Sequence, residues 1–275
     1  MFYILLIINK INNLNSIKKL PLLYILVSFH FDNKSMTPSD LLSEIQSYCK
    51  TNANEAIVKK YSRYFKEGYD AYGLSHELLQ KKVDEIINTQ GVDFDTIIKT
   101  SHILIPTGKY EETSFAILLF KEFKKQFTPK TFTEIEKWFS EGINNWAHTD
   151  VICGELISIF LEKKIITYAV MSGWRESKNK YQRRAVPVAL IKMLKYTNDY
   201  QPFFNFIEPL MMDDEREVHQ GLGWFLREAW KKSPESTEMF LMQWKDTAPR
   251  LIFQYATEKM KPEQKQHFKR SKGSK

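Results

Sequence analysis

Residues 36–49, MTPSDLLSEIQSYC, decide the fold class. Leu41, Leu42, Ile45 and Cys49 recur at the spacing of one helical face, and nothing in the stretch alternates as a strand would. Thr37 or Ser39 stands ahead of them with a side-chain oxygen able to cap the first free amides. The same periodicity continues through HELLQKKVDEII, FDTIIKTSHILI, YEETSFAILLFKEF, TDVICGELISIFLEKK, REVHQGLGWFLREAW and PRLIFQYATEKM. The breaks between runs are short and carry turn residues: PTGK, FTPKT, KKSPES. Roughly a dozen helices joined by short turns is the expectation, arranged as antiparallel pairs. No repeat has an obvious signature. Pairs stacked in series, each touching its neighbours, give an all-α, HEAT-like α-solenoid with a concave face, spanning 36–260 as one domain.

Upstream of Met36 the character changes. MFYILLIINK and LPLLYILVSFHF are apolar runs split by an Asn- and Lys-rich stretch. Neither reaches the ~18 to 20 apolar residues of a membrane span. Lys18 and Lys19 precede a run of signal-peptide length, but FHFDNK is a poor cleavage site. Translation is therefore expected to begin at Met36, with 1–35 a mistaken or targeting extension. At the other end, 261–275 is short and basic and is expected to be a disordered tail.

Of the 275 residues, 43% are hydrophobic and 14% aromatic, enough for a substantial core, while ten Gly and ten Pro are few for a loop-rich β protein. Two distant cysteines, Cys49 and Cys153, make neither a disulfide framework nor a zinc pattern, which points to a reducing, cytoplasmic setting. The net charge is +7, but residues 1–35 contribute +3 and 259–275 contribute +6. The body between them is slightly acidic, so an anionic partner must be met by a local patch.

Four stretches carry candidate chemistry. In NNWAHTD (144–150), Trp146 and Asp150 stand four apart and share a helical face; alternatively Thr149 or Asp150 caps a helix over 151–163. In SGWRESKNKYQRRAVPVAL, Arg175, Lys178, Lys180, Arg183 and Arg184 crowd a helix start, where the dipole favours an anion instead; the alternative is a solvated turn. In EVHQGLGWFLREAW, Gly221 and Gly223 flank Trp224 at a cost of about 1 kcal/mol each against Ala, which implies close approach of a neighbouring helix or a ligand. In YSRYFKEGYDAYGLS, aromatics including Tyr64 interleave with Arg63 and Lys66, suiting base stacking and phosphate contact or simply interhelical packing. No phosphate loop, HExxH, nucleophile elbow or Cys-based metal site occurs, and the six His residues form no ligand-spaced set.

Taken in order, these stretches resemble the DNA alkylation repair family, the AlkD-like HEAT-repeat DNA glycosylases. HQGLGWFLREAW is similar to the family's GW-LRE helix, YQRRAVPVAL to its W-x-R-A-A helix start, NNWAHTD to its W-D-x-x-D segment, and YEETSFAILLF to a helix beginning with a Glu pair. The resemblance implies Asp150 as the catalytic carboxylate, and Trp146 and Trp224 as walls around the damaged nucleotide. It implies Arg184 as a phosphate contact with Arg183 beside it, and Tyr64 as an aromatic facing the lesion. Ala147, Tyr181 and Ile105 depart from the family's acid and two tryptophans.

The implied activity is hydrolysis of the N-glycosidic bond of cationic N3- or N7-alkylated purines in duplex DNA. The family acts without a base-reading pocket. No cofactor, metal or membrane is expected, and the protein is expected to act as a monomer. No lysine stands as a Schiff-base nucleophile, which implies a monofunctional glycosylase. A non-catalytic reader of damaged or branched DNA and a protein-binding HEAT scaffold remain the alternatives.

Overall fold

The computed structural model describes residues 36–88 and 91–271. The readings for 1–35 lie outside the described residues. Among the described residues there is no strand.

Helix α1 (Pro38–Thr51) begins where the sequence places it. Thr37 accepts from the Asp40 amide, the Asp40 carboxylate accepts in return from the Thr37 amide, and Pro38 takes the first turn, where no amide is needed. Its Leu41, Ile45 and Cys49 are buried. There follow α2 (Glu55–Ser62), α3 (His76–Asn88), α4 (Phe94–Leu104), α5 (Tyr110–Glu122), α6 (Pro129–Glu141), α7 (Trp146–Ile152), α8 (Ser158–Glu162), α9 (Lys180–Leu190), α10 (Gln201–Ile207), α11 (Arg216–Trp230), α12 (Pro234–Trp244), α13 (Arg250–Ala256) and α14 (Pro262–Gln266). Short 3₁₀ turns join several of them, and a π turn, Cys153–Ile157, separates α7 from α8.

The stack runs in series. Helix α5 packs on α4 and α7, α7 on α9, α9 on α11, and α11 on α13. These inner helices start at Tyr110, Trp146, Lys180, Arg216 and Arg250, an interval of 34 or 36 residues each time. That is the spacing of a helical repeat, and it holds where no sequence signature does. Aromatic rings fill the space between layers: Phe120 meets Phe127 at 5.3 Å, and Phe127 stacks on Phe160 at 4.4 Å. Trp138, Phe115, Phe204, Phe225 and Phe253 are all fully buried.

Gly221 and Gly223 mark close approach of helices. A Cβ on Gly221 would stand 3.1 Å from Arg184 Cγ of α9, and one on Gly223 would stand 2.7 Å from the Ile252 carbonyl of α13. One helix therefore seats tightly on both neighbours.

The tail departs from expectation. Residues 262–266 form α14, and Phe268 is buried, 6.4 Å from the Phe253 ring. Phe268, with Arg270 donating to the Ala248 carbonyl and the Ser271 amide to Asp246, holds the segment down through Ser271. No helix among the described residues is long and apolar enough to cross a membrane.

Candidate active site

Helix α7 starts earlier than a cap at Thr149 or Asp150 would have it. Asn145 is the cap: its side chain accepts from the His148 amide at 2.9 Å. Trp146 then opens the helix and Asp150 lies one turn along the same face. Neither Thr149 nor Asp150 is used as a cap, so the Asp150 carboxylate is free to look outward.

It looks onto Arg184. The guanidinium of Arg184 donates from Nε and Nη2 to the two Asp150 oxygens, both at 2.9 Å, and from Nη1 to the Glu217 carbonyl at 2.7 Å. The arginine side chain is only 6% exposed, against 17% for the aspartate. Arg184 is therefore spent on Asp150 and α11, and its expected phosphate contact is not available in this arrangement. Burial pushes the Asp150 carboxyl above the ordinary aspartate range, and Arg184 pulls against that rise.

Asp150, Arg184 and Gln220 occupy matching positions on α7, α9 and α11, one turn in from each start. Together with Tyr255 of α13 they wall a cavity of about 330 Å³. Gln220 Nε2 donates to Tyr255 Oη at 2.7 Å. Arg216 and Glu217 at the start of α11, and Tyr181 of α9, complete that side. The other side is the loop after α2, which contributes Tyr64, Phe65, Lys66, Glu67 and Gly68.

The loop is pinned from below by the acid pair at the start of α5. Glu111 accepts from the amides of Tyr72, Gly73 and Leu74 at 2.8, 2.8 and 3.1 Å, and Glu112 from the Tyr72 hydroxyl at 2.7 Å. From above, Phe65 stacks on Trp146 with centroids 5.7 Å apart, and Trp146 Nε1 donates to the Tyr64 carbonyl at 3.3 Å. Trp146 and Tyr64 nevertheless stay exposed, 39% and 51%. Four of the ten exposed large hydrophobic side chains among the described residues, Tyr61, Tyr64, Trp146 and Val151, line a second, apolar cleft of about 720 Å³ that shares Tyr64, Phe65 and Trp146 with the first.

Of the residues expected at the site, the structure thus gathers Asp150, Trp146, Arg184 and Tyr64. It does not gather Trp224 or Arg183. Trp224 stands four residues beyond Gln220 on α11, half-buried against the core, and is not in the cavity wall. Arg183 points to the far side of α9, where Nε and Nη2 hold Asp213 at 2.6 and 3.2 Å. Two of its basic neighbours are likewise committed. Arg175 donates to the Ser172 and Phe206 carbonyls, and Lys180 meets carboxylates.

Sequence reading missed Glu67, Gln220, Arg216 and Tyr255. The 34-to-36-residue interval finds Gln220, since it carries Asp150 onto Arg184 and Arg184 onto Gln220. Lys66, read in the sequence as part of the aromatic and cationic stretch, also stands in the wall of the cavity.

No group of three or more His, Cys, Asp or Glu among the described residues is placed to hold a metal. The two thiols are buried, and burial pushes Cys49 up to about 12, with Glu111 and Glu112 adding to the rise. Neither is a nucleophile.

The chain is similar in fold to a predicted DNA alkylation repair enzyme from Enterococcus faecalis, with a TM-score of 0.62 at 13% identity over 77% of this chain and 98% of that one. It is similar to AlkD2 from Streptococcus mutans, with a TM-score of 0.51 at 18% identity over 74% and 97%. A third likeness is smu.31 from Streptococcus mutans UA159, at 0.50 and 19% over 74% and 98%. No curated protein matches the chain. The family model of the DNA alkylation repair enzymes matches residues 45–260. The all-helical stack and that match over most of its length agree: the chain belongs to the DNA alkylation repair enzyme family.

Proposed function

We propose that the protein hydrolyses the N-glycosidic bond of N3- or N7-alkylated purines in duplex DNA. The observation that carries this reading is Asp150: a carboxylate oriented by a two-point arginine contact, in the wall of an open cavity, one helical turn from an exposed tryptophan. A purine alkylated at N3 or N7 is already cationic, so it leaves without prior protonation. The C1′–N bond breaks with its electron pair passing to the base, and positive charge develops on the sugar. A fixed carboxylate stabilises that charge where it appears and not before. Water then adds to C1′ and gives up a proton, leaving an abasic sugar.

Arg184 acts in this reading as a positioning residue. Its two donors occupy one edge of the carboxylate and leave the remaining lone pairs for the sugar or the water. Trp146 and Tyr64 offer ring faces to the cationic nucleotide, worth about 0.5–2 kcal/mol each. The open cavity mouth agrees with attack on the sugar of a nucleotide that has not been flipped. Hydrolysis stops at the abasic site, because Lys66 is exposed, whereas Schiff-base lysines are activated by enclosure in apolar or cationic surroundings.

The test is base release from N7-methylguanine duplex DNA by the Met36–Lys275 protein and its Asp150→Asn variant. The expected outcome is a loss of about 10²-fold or more in the single-turnover rate, with DNA binding kept and no borohydride-trapped adduct from either protein. Equal release by both sinks the assignment of Asp150.

Trp224's absence from the wall and the capture of Asp150 by Arg184 favour a second reading, a non-catalytic reader of damaged duplex. Tight binding without release from the parent protein would establish it.

A further inference from the structure

The segment Tyr64–Glu67 walls one side of the cavity and is tied to the opposite side by one side chain. Glu67 takes an ion pair from Lys180 Nζ and a hydrogen bond at 2.9 Å from the Tyr181 hydroxyl, both at the start of α9 and more than a hundred residues away in sequence. Lys180 also stands 3.3 Å from Glu217 and 3.5 Å from Glu215. Three carboxylates thus share one ammonium. Glu67 is the most exposed of them, 50% against 44% for Glu215 and 17% for Glu217. Its half-exposed carboxylate is therefore the one that water and external anions reach most easily.

An ammonium and a phenol hydroxyl converging on two oxygens of one carboxylate offer the donors that a phosphodiester's two free oxygens accept. Arg216, exposed on the same cavity wall and with no ion pair described, lies beside them on the next inner helix. The carboxylate also comes from the loop that brings Tyr64 and Phe65 into the cavity wall with Asp150, so whatever displaces it frees that wall from α9.

We propose that Lys180 and Tyr181 form a subsite for a nucleic-acid backbone phosphate, which Glu67 fills as a built-in substitute until DNA displaces it. The proposal rests on the DNA reading above and deepens it: phosphate capture at Lys180 is coupled to release of the loop that walls the Asp150 cavity.

Binding to a fluorescein-labelled undamaged duplex, followed by anisotropy across a salt series, tests this with the parent, Glu67→Gln, Lys180→Gln and the double variant. Glu67→Gln is expected to bind about 3- to 10-fold tighter. Its plot of log K against log salt should steepen by about one unit, because Lys180 then meets phosphate without first giving up Glu67. Lys180→Gln should weaken binding, and adding Glu67→Gln to it should give no further gain.

Parent-like binding by Glu67→Gln, with circular dichroism and melting unchanged, overturns the proposal. An equal gain with and without Lys180 also overturns it, leaving Glu67 as a general repulsive charge. Binding that Glu67→Gln leaves unchanged removes the subsite but not the glycosylase, which base release judges separately. No DNA binding by any of the four proteins removes both.

Discussion

His148 stands between the two residues that the opening of α7 contributes to the cavity, yet it faces the other way. Its ring is buried and stacks on Tyr110 at 4.4 Å. Nε2 lies 3.0 Å from the Tyr110 carbonyl, which can only accept, so Nε2 carries the proton and Nδ1 accepts from the Asn145 amide at 2.8 Å. The ring is neutral: burial pushes its pKa from 6.5 down to about 3, opposed by the Tyr110 contact. In the unfolded chain the same ring takes a proton near 6.5. Between those values the unfolded state binds more protons, so its contribution to stability is complete above about 6.5 and is lost as pH falls toward about 3. The limiting slope is about 1.4 kcal/mol per pH unit. Denaturant melts at pH 7 and pH 5 should show the parent losing more stability than His148→Gln. Equal losses would mean that the ring is solvated. Asp150, with its raised pKa, has the opposite sign, so the difference between proteins is the informative quantity.

The same residues show how far sequence reaches at this scale. Trp146 and Asp150 were legible because four-residue spacing fixes a shared face. Arg184 was legible as a site residue but not as a partner, since pairing depends on how α9 lies against α7. Trp224 was misplaced for a related reason: a motif names a helix, while one turn of that helix decides which residue reaches the cavity. Gln220 takes the place that Trp224 was expected to fill.

At the scale of elements, glycine in α11 was the informative signal, and the structure decides between neighbour and ligand in favour of neighbours. Gly223→Ala gains about 1 kcal/mol of helix propensity. Against this, the new methyl meets Tyr255 Cβ and the Ile252 carbonyl, an overpacking worth about 1–3 kcal/mol because backbone must move. Net destabilisation is expected, with Tyr255 displaced from the cavity. Gly221→Ala meets Arg184 Cγ at 3.1 Å and the Arg184 carbonyl at 3.3 Å, a smaller overlap than at Gly223, and should cost less. Urea denaturation of both variants checks the order. Gly223→Ala as stable as the parent would show slack between α11 and α13. Boundaries were harder to read than faces: the start of α7 depends on which of Asn145, Thr149 and Asp150 wins the cap, and all three are competent side chains.

On the scale of the whole molecule, helical class and serial stacking were legible because periodicity and short breaks recur along the chain. The 34-to-36-residue interval was not, because equivalent positions hold unlike residues. Asp150, Arg184 and Gln220 share a place in the repeat and nothing in chemistry. The loop over the cavity was also hidden, since the Glu67 and Lys180 contact spans 113 residues.

Charge is the property left to place. The body's acidity confines attraction for DNA to patches, and the surplus sits in the C-terminal segment that Phe268 anchors. Lys261, Lys265 and Lys269 are exposed on that segment. Replacing all three with Gln keeps Phe268 and lowers the net charge from +7 to +4. Phosphate contacts carry no sequence or damage information. The triple variant should therefore bind damaged and undamaged duplex more weakly by the same factor, with a shallower salt dependence, and should release base at the parent rate once protein is saturating. A loss confined to damaged DNA would place the segment at the lesion, and unchanged binding at low salt would mean that the basic surplus does not meet DNA at all.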